Sequence, residues 1–571
     1  MKDNLFNFAN GLFLYLKMKT TLIFFILCFF IFSCSKRENS TNIFRYNEAQ
    51  GIENLDPVMA SNYPSIWPLA QSMEGLLEFD FDMHLEPLLA SSYTISPDAV
   101  THTFIIRRNV FFHDDDCFAN KKGREVISKD FKFCFERVCD PRTKSRGSWL
   151  FRDRIKGASE YINSIKENKF DVKEISGIKC PDDTTLVIEL TKPFAPFLSI
   201  LTMAYAYVYP HEAVEYYKEN FGYHPVGTGP FKFVKWDFDK ELAFEKNQNY
   251  WIRDKFGKAS VYLDGFTVSF TRSAETEFLD FKDGKFDYHT PSPEILGQIL
   301  DDNGNLLPKY DFEMIKQPWL NTVYLAIQLD TTTPGGKNSL LANNKTLRQA
   351  ISYAIDREKI VRYVLKFKGI PAENGPIPIG MPGYSSDVSG YKYDKQKAMK
   401  LLEEAGYPGG KGLSLKLMIS NEETQKMIGE AVQAQLKDIG IDVQLDFIQG
   451  STLRSSQVGG ELPFWRANWG ADYFDPENFM ALFYSKNKTP NGPNYTHYSD
   501  PKADSLYELG IKETDFSKRQ VIYSNMERIV MDDAPWILLL YNEILYLKSK
   551  RLKNMRIDGL NTLILKYARF E

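Results

Sequence analysis

Residues 413–447 read LSLKLMISNEETQKMIGEAVQAQLKDIGIDVQLDF. Leu413, Leu415 and Leu417 alternate with polar neighbours, the two-residue repeat of a strand with one buried face. Ile428, Ala431, Val432 and Ile439 then recur at helical spacing, and Val443, Leu445 and Phe447 return to alternation. Strand, helix and strand in that order predict a β-α-β unit, whose crossover lays a helix over a sheet. The class is therefore α/β.

Working outward, Leu347, Ala350, Ile351, Ala354 and Ile355 mark a second buried helix face. Asp394 suits the N-cap of a helix that buries Ala398, Leu401, Leu402 and Ala405, and Gly406 is placed to end it. Farther upstream, Thr103–Arg107 and Thr184–Leu190 read as strands, and Ser128-Lys129-Asp130 opens a helix through Phe131, Phe135 and Val138. There is no internal repeat and no long low-complexity linker, so the domains are expected to pack closely, with the chain able to cross between them more than once.

The 571 residues allow roughly three or four domains. With 43% apolar, 25% charged and 14% aromatic residues, the composition is that of a globular protein and excludes a polytopic membrane protein. Seventy basic against 74 acidic residues, a net charge of −4, give no footprint for nucleic acid.

Near the N-terminus, Met18-Lys19-Thr20-Thr21 precedes an apolar run from Leu22 to Phe32, followed by Ser33-Cys34. Such a run is too short to span a bilayer, which takes about 20 residues, and the pattern is that of a secretory signal. A cysteine directly after a small residue is similar to a bacterial lipoprotein signal, although Phe32 is bulkier than the residue usual two places before the cysteine. Residues 1–17 then form an upstream extension, 18–33 the signal peptide and 34–42 a tether, with lipid on Cys34 holding the protein outside the cytoplasm. A plain secretory peptide or a membrane-anchored N-terminus is the alternative. Pairing among Cys117, Cys134, Cys139 and Cys180 stays open.

Catalytic constellations are missing from the seven histidines and six cysteines: there is no His-Glu-x-x-His, no Gly-x-Ser-x-Gly and no zinc-like spacing. Phe112-His113-Asp114-Asp115-Asp116 reads as a charged loop tip rather than a metal site. Pro334-Gly335-Gly336-Lys337-Asn338 lacks the hydroxyl residue of a phosphate loop and reads as a turn. These readings point to a protein that binds, with no catalytic residue, metal or cofactor expected.

Several segments carry a resemblance. They are Leu55-Asp56-Pro57; Met73-Glu74-Gly75-Leu76; Thr103–Arg107 with Val110-Phe111-Phe112-His113-Asp114; Lys129-Asp130-Phe131; Val226-Gly227-Thr228-Gly229-Pro230-Phe231; and Asn247-Gln248-Asn249-Tyr250-Trp251. Leu347–Arg357, Gln435–Ile441 and Trp469-Gly470-Ala471-Asp472-Tyr473 complete the order. Together they are similar to the family 5 extracellular solute-binding proteins of ABC importers, nearest to the oligopeptide-binding lipoproteins, over residues 44–550.

The resemblance implies a two-lobed periplasmic-binding-protein fold of type II, the large cluster C form, with an extra domain inserted in the first lobe. By likeness, 43–84, 225–321 and 541–571 form the first domain, 85–224 the inserted one and 322–540 the second lobe, with hinge crossings near Trp319–Tyr324 and Trp536–Tyr541. It further implies a monomer that captures short peptides with a free N-terminal amine and delivers them to an ABC permease. Asp472 would hold the α-ammonium and Arg466 the carboxylate of a short peptide, while the backbone of Asn468, Trp469 and Gly470 bonds the peptide from one side. Ser65, Ile66 and Trp67 would face it from the other lobe, with Trp67 and Trp469 either against the ligand or in packing. In the nearest branch the position of Gly470 often holds a disulfide-forming cysteine. The alternatives are another cargo on the same fold (a dipeptide, cell-wall peptide, haem, nickel chelate or sugar), a secreted hydrolase, or a chaperone-like surface lipoprotein.

Overall fold

Alternating apolar residues place the sheets, and the helices cover them. A computed structural model describes residues 42–571 except 254, 255 and 338, so Cys34 and the segments 1–17 and 18–33 lie outside the described residues. Strand β1 (Ile43–Asn47) is followed by helix α1 (Tyr63–Ser72), where the Asn62 side chain accepts from the Ser65 amide and Pro64 occupies the first turn. Both are helix-start signals, since proline's missing N–H has no partner to lose there.

Strands β2 (Ala90–Ile95), β3 (Thr101–Ile106), β4 (Ile178–Lys179) and β5 (Thr185–Glu189) form an antiparallel sheet in the order β2-β3-β5-β4. Its Phe104, Leu186 and Ile188 are buried, as are Phe131, Phe135 and Val138 of helix α2 (Ser128–Cys139). Strands β6 (Phe231–Asp237), β7 (Glu241–Lys246) and β8 (Gly265–Ser269) join β1 in the order β1-β8-β7-β6.

The largest sheet has seven strands. Strand β9 (Tyr288–His289) and the 15-residue β10 (Glu313–Ile327) precede helices α3 (Lys345–Ala354) and α4 (Lys395–Glu404). Strand β11 (Ser414–Ser420), helix α5 (Glu423–Lys437) and strand β12 (Asp442–Ile448) are the expected β-α-β unit, the two strands running parallel from Ser414 opposite Asp442. Helix α6 (Gly450–Val458) crosses back to β13 (Phe464–Gly470), and helices α7 (Pro501–Gly510) and α8 (Phe516–Asp533) lead to β14 (Trp536–Lys548). The order is β9-β14-β10-β13-β11-β12, with Ile370–Pro371 also pairing on β14.

Strands β10 and β14 run side by side through two different cores. Toward one end, Leu545 and Leu547 pack with Phe278, Phe281 and Phe312. Toward the other, Val323, Leu325 and Ile327 pack against Leu347, Ile351 and Val432 of α3 and α5. Between them the ladder slips from Pro318–Glu543 to Thr322–Tyr541, and there Asn542 Nδ2 donates to Asn321 Oδ1 at 2.7 Å.

The string Leu347–Arg357 proves to be a fold determinant. Arg357 is 2% exposed, and its guanidinium donates to the carbonyls of Leu538, Ile355 and Ser352. It thereby satisfies carbonyls at the C-terminal end of α3 and one of β14. Leaving a buried carbonyl unpaired costs about 1–3 kcal/mol. Arg357→Leu is therefore expected to lower stability by about 3 kcal/mol or more, read as a fall in Tm, with Arg357→Lys recovering only part because an ammonium cannot fan its donors as a guanidinium does.

Pro334–Lys337 is a single helical turn, with Gly335 and Gly336 buried against the backbones of Leu462 and Asp330. One expectation is corrected. Ser65, Ile66 and Trp67 lie within α1, where the Ser65 and Ile66 amides already donate to Asn62 O at 3.2 and 3.0 Å, so these amides cannot bond an extended ligand. Cys117, Cys134, Cys139 and Cys180 are all free thiols.

Candidate ligand-binding cavity

Strand β13 ends at Gly470, opposite Asn321 of β10, and Ala471 N donates to Leu320 O at 2.8 Å. A Cβ at position 470 would stand 3.0 Å from Asn321 Nδ2, so the missing side chain lets the strand end close against β10. Beyond it the chain turns away under the control of buried Asn478, whose Oδ1 accepts from Trp469 Nε1 at 2.8 Å and from Asp472 N at 3.2 Å. Glu477 accepts from the hydroxyls of both Tyr473 and Tyr507, and Arg519 pairs with Asp475. The loop is thus held from behind by hydrogen-bonded and ion-paired buried groups, with Asp472 facing the other way.

It faces a cavity of about 1170 Å³, larger than the roughly 300–1,000 Å³ typical of small-molecule sites. Three stretches of chain supply most of the walls: residues 60–66 entering α1, residues 146–207, and residues 454–512. Asp472 opens onto this space and makes no ion pair among the described residues. Burial pushes its pKa up to about 6, against a lowering hydrogen bond from Asn478. Tyr63, Tyr205 and Tyr495 stand in the same walls, and the Asp472 charge helps to raise the pKa of each hydroxyl. An ionised carboxylate in such a place lacks the cation that would compensate it.

The nominated residues divide. Asp472, Trp469 and Ile66 line the cavity; Arg466, Asn468, Gly470, Ser65 and Trp67 do not. Trp67 is 8% exposed, donates through Nε1 to Asn561 O at 2.7 Å and packs edge-on against Tyr288, so it serves the core. Arg466 donates to its neighbour Asn468 Oδ1 at 3.1 Å, leaves Nε buried without a partner, and has its pKa pulled down to about 10 by burial. As for the backbone, β13 pairs with β10 along its whole length, but its other edge pairs with β11 only at Trp465–Met418. Past that point one edge of β13 is open.

A second cavity of about 350 Å³ shares Thr202, Tyr207, Leu560 and Thr562 with the first. Glu74, Glu78 and Asp558 line it, with Lys566 bonded to both oxygens of Glu78. Met73 and Glu74 of the Met73–Leu76 motif line it, although that motif carried no expectation of a site. Asp80, Asp82 and His84 bring potential metal-ligand atoms within 4.8 Å of one another, but Asp80 Oδ1 already accepts from the Asp82 and His84 amides, which makes the group a hairpin turn.

The model of the bacterial extracellular solute-binding proteins, family 5, matches residues 84–491. The chain belongs to that family. As a family 5 protein it is a binding component of transport, not an enzyme, and its fold is the type II periplasmic-binding fold. It is 27% identical over 530 residues to the oligopeptide-binding protein OppA of Bacillus subtilis, covering 91% of each chain. It is also 27% identical over 511 residues to heme-binding protein A of Haemophilus influenzae, covering 88% of this chain and 87% of that one. The solved structure of DppA from Helicobacter pylori in complex with peptide STSA superposes with a TM-score of 0.71 at 25% identity, covering 93% of this chain and 98% of that one.

Proposed function

We propose that this family 5 protein captures short peptides carrying a free N-terminal amine in the large cavity and delivers them to an ABC permease. The observation that carries the reading is Asp472, a carboxylate without an ion-pair partner among the described residues, facing the large cavity. A peptide's α-ammonium is the cation that such a group selects. The open edge of β13 beside Trp469 supports the rest, because an extended peptide can add to an unpaired strand edge through its own amides and so be bound whatever its side chains.

In this reading 43–84, 225–321 and 541–571 make one domain, 85–224 an inserted one and 322–540 the other lobe. Two pairings favour it: β1 joins β8, and β9 joins the far end of β14. The slip between Pro318 and Thr322 would be the hinge. Lipid on Cys34 would tether this monomer outside the cytoplasm.

The test is thermal unfolding of the chain from Ser35, freed of co-purified ligand. Tri- to pentapeptides at about 100 times Kd should add roughly 2.7 kcal/mol to the native state, and their N-acetylated forms should add nothing. Equal shifts from both forms, or a shift only with haem, would overturn the peptide-amine reading.

A further inference from the structure

Seven lysines and arginines line the large cavity against four carboxylates, although the whole chain is net negative. Three of the four arginines have work within the fold. Arg146 bonds Ser61 Oγ at 2.8 Å, Arg152 pairs with Asp153 at 3.2 Å, and Arg154 donates to Trp149 O and covers the Phe194 ring at 4.5 Å. The fourth, Arg454, is an exposed residue of α6 that makes no hydrogen bond, ion pair or ring contact among the described residues. Its five donors and its charge meet the cavity unused.

Tyr495 lies in the same wall. Burial raises the pKa of its hydroxyl; the Arg454 guanidinium offsets part of that rise and the Asp472 carboxylate adds to it. One tyrosine therefore stands within the field of an unpaired anion and an unpaired cation. A zwitterionic ligand needs that pair of charges: an anion for its ammonium and a planar fork for its carboxylate. Arg466 offers no such fork, since it is outside the cavity lining.

We propose that Arg454 receives a carboxylate of the bound peptide while Asp472 holds its amine. The assignment rests on the peptide reading above and adds the second anchor. The carboxylate is either the C-terminal one or that of an acidic side chain.

Calorimetric titration of the wild type, Arg454→Gln and Arg466→Gln with three sets of ligands decides the matter: a free-acid peptide and its C-terminal amide, a glutamate peptide and its glutamine counterpart, and the N-acetylated peptide. In the wild type, loss of the recognised carboxylate should weaken binding about tenfold, the value of one charged hydrogen-bonded contact. In Arg454→Gln the acid and its neutral form should bind within about twofold of each other, while Arg466→Gln keeps the wild-type discrimination. The amide pair responds if the C-terminus is the partner, and the glutamate pair if a side chain is. Since Arg454 bonds nothing in the fold, its variant should fold normally, and sensitivity to N-acetylation must persist in it. Full wild-type discrimination retained in Arg454→Gln, or none in the wild type, overturns the assignment. If acetylation matters and neither carboxylate does, only Arg454 falls; if no peptide binds the wild type, the peptide reading falls with it.

Discussion

Asp472→Asn is expected to weaken binding of a free-amine peptide by about thirtyfold or more, the lower end of the 2–5 kcal/mol range for breaking a buried charge pair. The lower end applies because Asp472 is exposed on the cavity wall rather than sealed in the core. The substitution keeps the shape of the side chain and does not touch the bond from the Asp472 backbone amide to Asn478 Oδ1, so the loop is expected to stay in place. The unliganded variant should be at least as stable as the wild type near neutral pH. Burial raises the Asp472 pKa above its unfolded value, so its ionised form opposes folding above that pKa, and the neutral amide removes the penalty. Calorimetry and thermal unfolding of one preparation read both effects. Unchanged affinity in a variant that unfolds normally would remove Asp472 from the site.

A second large effect is the pH dependence of affinity. In the free protein the Asp472 pKa lies at about 6, and pairing with an ammonium should pull it down in the complex. A group whose pKa falls on binding contributes affinity above its free-state value and loses it as the pH drops through that value. Between about pH 7 and about pH 4.5 the dissociation constant should therefore rise about thirtyfold, one decade per pH unit below about 6. The ligand does not confuse this window, since α-amines titrate at about 7.7–8.0 and α-carboxyls at about 3.3–3.7. Asp472→Asn should flatten the profile. A wild-type profile that is flat from about pH 7 to about pH 4.5 would place some other group at the amine.

Both expectations depend on how firmly the anchor is held. Asn478 ties Trp469 and Asp472 together, and Glu477 is bonded by two tyrosine hydroxyls. These groups lie behind the loop, and Asp472, which makes no ion pair among the described residues, faces the cavity where a ligand can reach it. Binding then needs little reorganisation of the site itself, and the free energy of the new ion pair is not spent on ordering the loop.

Much of this was readable from the chain alone. The alternation and helical spacing of 413–447 specified the parallel pair Ser414–Ser420 and Asp442–Ile448 with its covering helix, because burial of one face is a local, periodic property. Asp394 caps its helix through Lys397 N, and Gly406, at a φ of 95°, ends it in the left-handed region. The ordered motifs identified the family, and the Ala471-Asp472-Tyr473 string singled out a residue that does line the cavity.

Tertiary structure decided what the pattern left open. Asn62 and Pro64 carry a helix start that turns Ser65–Trp67 into part of α1, and whether those amides face a ligand depends on that local hydrogen bonding rather than on the family resemblance. Arg466 and Arg454 are each a lone arginine in sequence. Which of them reaches the cavity depends on how α6 crosses from β12 to β13 and on where each side chain finds partners. Periodicity records which residues are buried along one element; it holds no record of which elements meet, and a binding site is made where they do.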